Sequence, residues 1–335
     1  MENEIKFSNN NSNLDLINYS NNSNNYNPFR RILEYKSIII TKNYKFQIFI
    51  IKYMEFIEIY YSEYDEFNNV INNESCITIR YVKDDNNYIY IKKIKYGKKC
   101  SKNKKLERKT GTVEMSESAL ELCSYLFPNK KILIEDESKV HIHLSKTFIV
   151  NICLPECYTL LYGITWYMKY FKFDESYNPI YFQNINLINE FLLNNKTSLN
   201  ILFSYIFPLD NKIMNILYDI SPNNNLNNIS LNENIITNEN ENMKNKKIVI
   251  YKIIKYIYNK SKNDRDFLLK LYKLYGFIIF EKLQYEFITH ICIKLNIHFH
   301  LSNTILLFDN EYVKNIKVIE NDISDIKNKL LEMIE

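Results

Sequence analysis

Five short apolar runs set the fold class of the first third of this chain. Residues 38–41, 46–51, 56–61, 76–82 and 88–94 are each rich in Ile, Tyr, Val and Phe, and Asn, Asp and charged residues separate them. In Ile77-Thr78-Ile79-Arg80-Tyr81 and Tyr88-Ile89-Tyr90-Ile91 the residues alternate, which turns one face of a strand to a core and the other to solvent. A mostly antiparallel meander is the simplest sheet such runs can form.

A basic stretch, residues 92–109, follows with ten Lys or Arg against the single acid Glu107. The pattern then changes. Ser116, Glu117 and Ser118 lead into Ala119, Leu120, Leu122, Cys123, Leu126 and Phe127, spaced as the apolar face of a helix that Pro128 ends. Residues 132–134 predict a strand running into the acids 135–137, and residues 141–153 predict another. Pro155 is placed for the first turn of a helix that carries Cys157, Leu160 and Leu161 toward Gly163. Strands, helix, strand, strand, helix is an α+β layer arrangement, a mixed sheet with helices packed on it.

Beyond residue 182 the periodicity becomes helical, at 187–193, 199–207, 246–260, 266–295 and 316–333, so the C-terminal part is expected to be mainly α. The Asn-rich segment 211–245 is expected as a flexible insertion, and the Asn-dominated residues 1–28 as a disordered tail. The expected domains are therefore 29–183 and 184–335. Ser124-Tyr125-Leu126-Phe127-Pro128 recurs as Ser204-Tyr205-Ile206-Phe207-Pro208, and Leu161-Tyr162-Gly163 as Leu274-Tyr275-Gly276. A degenerate duplication and chance in a biased composition both remain open.

At 335 residues with 46% hydrophobic side chains, the chain can build two cores. The charges nearly cancel, 43 basic against 39 acidic, so net charge alone does not point to nucleic acid. The stretch 92–109 supports only weak, salt-dependent attraction to it. The apolar windows 46–61 and 267–280 are broken by charges and fall short of the ~20 residues of a membrane span. No apolar leader opens the chain, and the six cysteines, at 76, 100, 123, 153, 157 and 292, lack a framework spacing, so reduced thiols and an intracellular, cytoplasmic protein are expected.

Arg108-Lys109-Thr110-Gly111-Thr112-Val113 is the strongest candidate site. A glycine at a strand-to-helix turn lets backbone amides face outward, and the helix start adds partial positive charge, so a diphosphate could sit there beside basic side chains. The competing reading is a plain glycine in a Lys-rich loop. His141-x-His143 with Cys153-x-x-x-Cys157, and His290, Cys292, His298 and His300, lack the paired spacing of a zinc site, so no metal is expected. Trp166, Tyr167, Tyr170, Phe171 and Phe173 read as core, with the Tyr167 hydroxyl as a candidate proton donor.

A strand meander, Arg-x-x-Gly before a helix, a strand after it, and a later helix ending Trp-Tyr-x-Lys-Tyr-Phe together resemble the GNAT acetyltransferase superfamily. That resemblance implies that Arg108, Gly111, Thr112 and Val113 bind the diphosphate of acetyl-CoA and that Tyr167 protonates the leaving thiolate. Val113 stands where a small residue is usual. The segments 124–132, 136–138 and 161–171 also resemble proteins of giant DNA viruses of the mimivirus kind, with which an AT-rich composition agrees. An acyl-CoA-dependent N-acyltransferase is the implied activity. The alternative is an inactive GNAT-like scaffold that binds a protein partner.

Overall fold

A computed structural model describes residues 5–6, 31–64, 75–83, 85, 87–94, 110–136, 139–145, 148–206, 209–221, 241–298 and 304–334. The expected disordered tail and most of the basic stretch lie outside these residues, apart from a two-residue strand β1 (Ile5–Lys6) and the three residues 92–94. Packing divides the chain into two compact units. One holds residues 6–138, 170–178 and 303–335, and the other holds 1–5, 139–169 and 179–302.

The first unit is built on β2 (Leu33–Ile40), β3 (Lys45–Lys52), β4 (Phe56–Glu63), β5 (Ile77–Val82), β6 (Tyr88–Ile94), helix α1 (Thr110–Leu126) and β7 (Lys131–Asp136). The five apolar runs form an antiparallel meander, with β2 beginning at Leu33 rather than at residue 38. α1 then returns the chain so that β7 lies parallel to β6. Strands of this sheet are covered on both faces, and the run from Phe46 to Ile51 in β3 is wholly buried. Each fully buried Ile there contributes about 1.5–3 kcal/mol.

Tyr61 on β4 donates its hydroxyl to the Ser118 carbonyl of α1 at 3.4 Å, which marks the helix-bearing face. The opposite face carries Glu58, which accepts from Arg80 Nε at 2.8 Å and from the Tyr60 hydroxyl, while the Arg80 guanidinium lies 4.3 Å from the Phe56 ring centre. Paired charges at cross-strand positions let this face bury a carboxylate.

α1 corrects the expected start of its helix, which begins at Thr110 and includes Gly111 in its first turn. The apolar stripe runs through Met115, Ala119, Leu122 and Leu126, so the helix gains burial one turn earlier than the residues after Ser118 suggest.

The second unit contains the hairpin β8 (Lys139–His143) and β9 (Ile149–Cys153), which the sequence reads as one extended segment and which joins β1 in a separate three-stranded sheet. Its helices are α2 (Leu154–Tyr162), α3 (Trp166–Tyr170), α4 (Pro179–Asn194), α5 (Leu199–Ile206), α6 (Asn211–Ile220), α7 (Glu241–Asn259), α8 (Asp264–Tyr275) and α9 (Phe280–Leu295), with a 3-10 turn at Gly276–Ile279. α3 runs from this unit into the first at its last residue.

α2 is the axis of the unit, buried along nearly its whole length and packed by α4, α8 and α9. Gln284 of α9 ties its start, accepting from the Cys153 N–H at 2.6 Å and donating to the Asn151 carbonyl at 3.0 Å. α6 corrects the expectation of a flexible insertion from residue 211. Asp210 caps it by accepting from the Lys212 N–H, and Ile213, Met214 and Leu217 make its buried face. Residues 222–240 of that insertion lie outside the described residues.

The C-terminal residues return to the first unit. β10 (Thr304–Leu307) pairs antiparallel with β7, completing a seven-stranded mixed sheet in the order β10-β7-β6-β5-β4-β3-β2, and α10 (Asn310–Asn315) and α11 (Ser324–Ile334) follow. The predicted helix over 316–333 therefore starts only at Ser324. Val318 and Ile319, apolar in helical register, instead lie in extended chain, their amides accepted by Glu121 of α1 at 2.7 and 2.9 Å. The α+β class and the helical C-terminal region are as the sequence implies. The grouping of 139–169 with the helices and of 303–335 with the sheet differs from a division at residue 183.

Of the recurring sequence pairs, Leu161-Tyr162-Gly163 closes α2 and Leu274-Tyr275-Gly276 closes α8, each with its glycine at positive φ, while residues 124–126 end α1 and 204–206 end α5. Cys123, Cys153, Cys157 and Cys292 are free and buried, whereas Cys76 is disulfide-bonded. That bond corrects the expectation of reduced thiols throughout. No helix among the described residues is long and apolar enough to cross a membrane.

Candidate functional site

The C-terminal ends of β6 and β7 form the most distinctive place in the sheet. The two strands pair from Tyr88 with Lys131 to Ile91 with Ile134, and there the pairing stops. β6 continues beside β5 through Lys93 and Ile94, while β7 continues beside β10 through Glu135 and Asp136. Ile79 faces Ile91 and Thr78 faces Lys93, which leaves Lys92 as an extra residue, a bulge that bends the strand. Two parallel neighbours thus part at their carboxyl ends, the position where open sheets bind ligands.

α1 begins at this end of the sheet. Its first turn, with Gly111 in it, carries the positive end of the helix dipole. Thr110 is exposed, Gly111 and Thr112 are buried, and Val113 is half-buried. Arg108 lies outside the described residues. The helix start is of the right chemistry for a diphosphate. Its electrostatics are mixed, because Glu114 follows in the next turn, accepting from the Asn43 N–H and Nδ2 at 3.2 and 2.8 Å, and burial with Glu114 nearby raises the Glu117 carboxyl above its ordinary range.

Tyr167 lies in α3, 3% exposed, with Trp166 edge-on at 5.0 Å, and belongs to the helical unit while Gly111, Thr112 and Val113 belong to the sheet unit. The expected aromatic cluster is divided in the same way, since Phe171 and Phe173 pack on Phe308 of the sheet unit at 5.9 and 4.8 Å.

Among the described residues no group of three or more His, Cys, Asp or Glu side chains could hold a metal ion. His141 bonds Asn151 across the hairpin, His290 bonds the Tyr205 hydroxyl at 3.2 Å, and burial pushes the Cys157 thiol well up. A thiol held protonated is neither a nucleophile nor a ligand.

The bulge was missed by the sequence reading, yet a signal for it exists. Ile89 and Ile91 keep a step of two, and the next apolar residue, Ile94, comes after a step of three through Lys92-Lys93, which shifts the phase of the alternation. Gln284 and the Glu58–Arg80 pair leave no such trace, because their partners are distant in sequence. No protein-family model, curated protein or solved structure matches this chain, so the sequence and the geometry alone carry the functional reading.

Proposed function

We propose that the sheet unit is a GNAT-like domain that holds the diphosphate of an acyl-CoA against the start of α1, and that the chain is an N-acyltransferase. One observation carries this reading: parallel strands that part at their carboxyl ends, at a bulge, on the side where the crossover helix begins. The gap between them is where an extended acyl-pantetheine arm would enter, and the positive end of the α1 dipole is where its phosphates would be met. Arg108 would add charge, and Tyr167 would be the acid of an active enzyme.

The burial of Tyr167 favours a second reading, an inactive scaffold of the same architecture that binds a protein partner. A cytoplasmic location belongs to the proposal too, and the disulfide at Cys76 speaks against it.

The test is calorimetric titration of acetyl-CoA into the full chain. Binding near 1 μM, worth ~8 kcal/mol, that 4′-phosphopantetheine fails to reproduce and Gly111→Asp abolishes would support the diphosphate site. Absence of binding by folded protein would overturn it. Binding that Tyr167→Phe leaves without turnover, while wild type acetylates an amine, would separate the enzyme from the scaffold.

A further inference from the structure

β2 is the outermost strand of the seven-stranded sheet, and among the described residues only part of its outer edge is covered. Toward its C-terminal end the chain's own return segment seals it. The Ile40 N–H donates to Asn321 Oδ1 at 2.7 Å, the Glu320 N–H donates to the Ile40 carbonyl at 2.8 Å, and Asn321 Nδ2 donates to the Ile38 carbonyl at 3.0 Å. Even-numbered residues of β2 thus direct their backbone groups outward, and odd-numbered ones bond β3, as Thr41 continues to do toward Tyr44. By the same alternation the N–H and C=O of Glu34 and Lys36 point to the open edge, and among the described residues nothing bonds them. The stretch is accessible, with Leu33 41% exposed, Ile32 beside it 53%, and the side chains of Glu34 and Lys36 exposed.

An open edge of this kind accepts another strand. The sequence Leu33-Glu34-Tyr35-Lys36-Ser37 reads as its own complement about Tyr35. Laid antiparallel on a copy of itself with Tyr35 on the two-fold axis, it sets Glu34 opposite Lys36 of the copy, and Lys36 opposite Glu34. Both are outward-facing positions, so each pair exchanges two backbone hydrogen bonds and also brings opposite charges together, while Tyr35 meets Tyr35 in the closer, non-hydrogen-bonded pair between them. The overlap ends where the copy's Asn321 begins to cover its own strand. Glu34 already accepts from Arg31 at 3.0 Å, an exposed ion pair that costs little to exchange.

We propose that this free edge is a homodimer interface, in which two copies pair through β2 about Tyr35 and a single sheet runs across both. The inference is independent of the acyl-CoA reading.

Sedimentation equilibrium of the full chain tests it. A concentration-dependent monomer–dimer equilibrium is expected, with Glu34→Lys or Lys36→Glu alone weakening the dimer about tenfold or more, since each places like charges opposite one another twice. Combining the two swaps should restore the wild-type constant, because only this register sets residue 34 against residue 36 of the copy. Tyr35→Cys should form a disulfide-linked dimer under mild oxidation, its α-carbons being about 4.5 Å apart across the axis. A chain that stays monomeric, a dimer indifferent to both single swaps, or one that the double swap fails to rescue would each overturn the proposal, as would a Tyr35→Cys chain that does not cross-link.

Discussion

Gly163→Ala should destabilise the helical unit by ~2–4 kcal/mol. Gly163 closes α2 in the left-handed region, φ 78° and ψ 8°, with its N–H donating to the Thr159 carbonyl at 3.0 Å. An L-residue held there loses ~1–2 kcal/mol. The added carbon would also fall 2.3 Å from Asn189 Oδ1, 2.7 Å from its Cγ and 2.9 Å from an Arg265 guanidinium nitrogen. Those are side-chain ends and can shift, but Arg265 is buried, so relief adds about 1–2 kcal/mol. The melting temperature read by circular dichroism should fall by roughly 5–15 °C. Adding Asn189→Ala should recover the steric share and leave the backbone share. Gly276→Ala provides the contrast, since at φ 64° and ψ −154° nothing lies within 4 Å of the added carbon and only backbone cost remains. A Gly163→Ala protein within ~0.5 kcal/mol of wild type, or one that Asn189→Ala leaves unrelieved, would refute this account.

Burial raises the Asp264 carboxyl above its ordinary value although the Thr197 N–H and hydroxyl donate to it. The folded chain then keeps a proton that the unfolded chain has released, so stability grows as pH falls through that raised value toward 3.8. Asp264→Asn should flatten this part of the curve in urea unfolding between about pH 4 and 7, and an unchanged slope would remove the argument. Reduction should cost the sheet unit ~2–4 kcal/mol and expose two further thiols to titration in denaturant, and Cys76→Ser should cost as much and expose one; equal thiol counts before and after reduction would show the bond does not form. Glu58→Gln should cost about 1–3 kcal/mol by stranding Arg80 over Phe56, measured by chemical unfolding, and a neutral result would mean the Phe56 ring alone holds the guanidinium.

The meander was legible because each strand is a short apolar run bounded by polar residues and its neighbour in sequence is its neighbour in the sheet. The hairpin at β8 and β9, α6 and the late start of α11 were not. In each, packing with a distant segment decides the conformation: Gln284 at the β9–α2 junction, the buried faces of Ile213 and Leu217, and Glu121 beneath Val318 and Ile319. At the candidate site the glycine before the helix was visible, but its place inside the first turn was not, since burial begins at Gly111 and Thr112, which are not part of an apolar run. Tyr167 was chosen as an acid from its neighbours in sequence, and sequence proximity carries no information about which unit a side chain enters.

The return of residues 303–335 to the sheet has a consequence for synthesis. β10 completes one margin of the sheet and the segment around Asn321 seals part of the other, yet both leave the ribosome roughly 170 residues after β7. At about 5–20 residues per second this is on the order of 10–30 s, during which the nascent meander waits with both margins bare. The intervening helical unit can fold meanwhile, whereas a chain stopped short of residue 303 would be released with its sheet unfinished, a substrate for chaperones rather than a smaller stable protein.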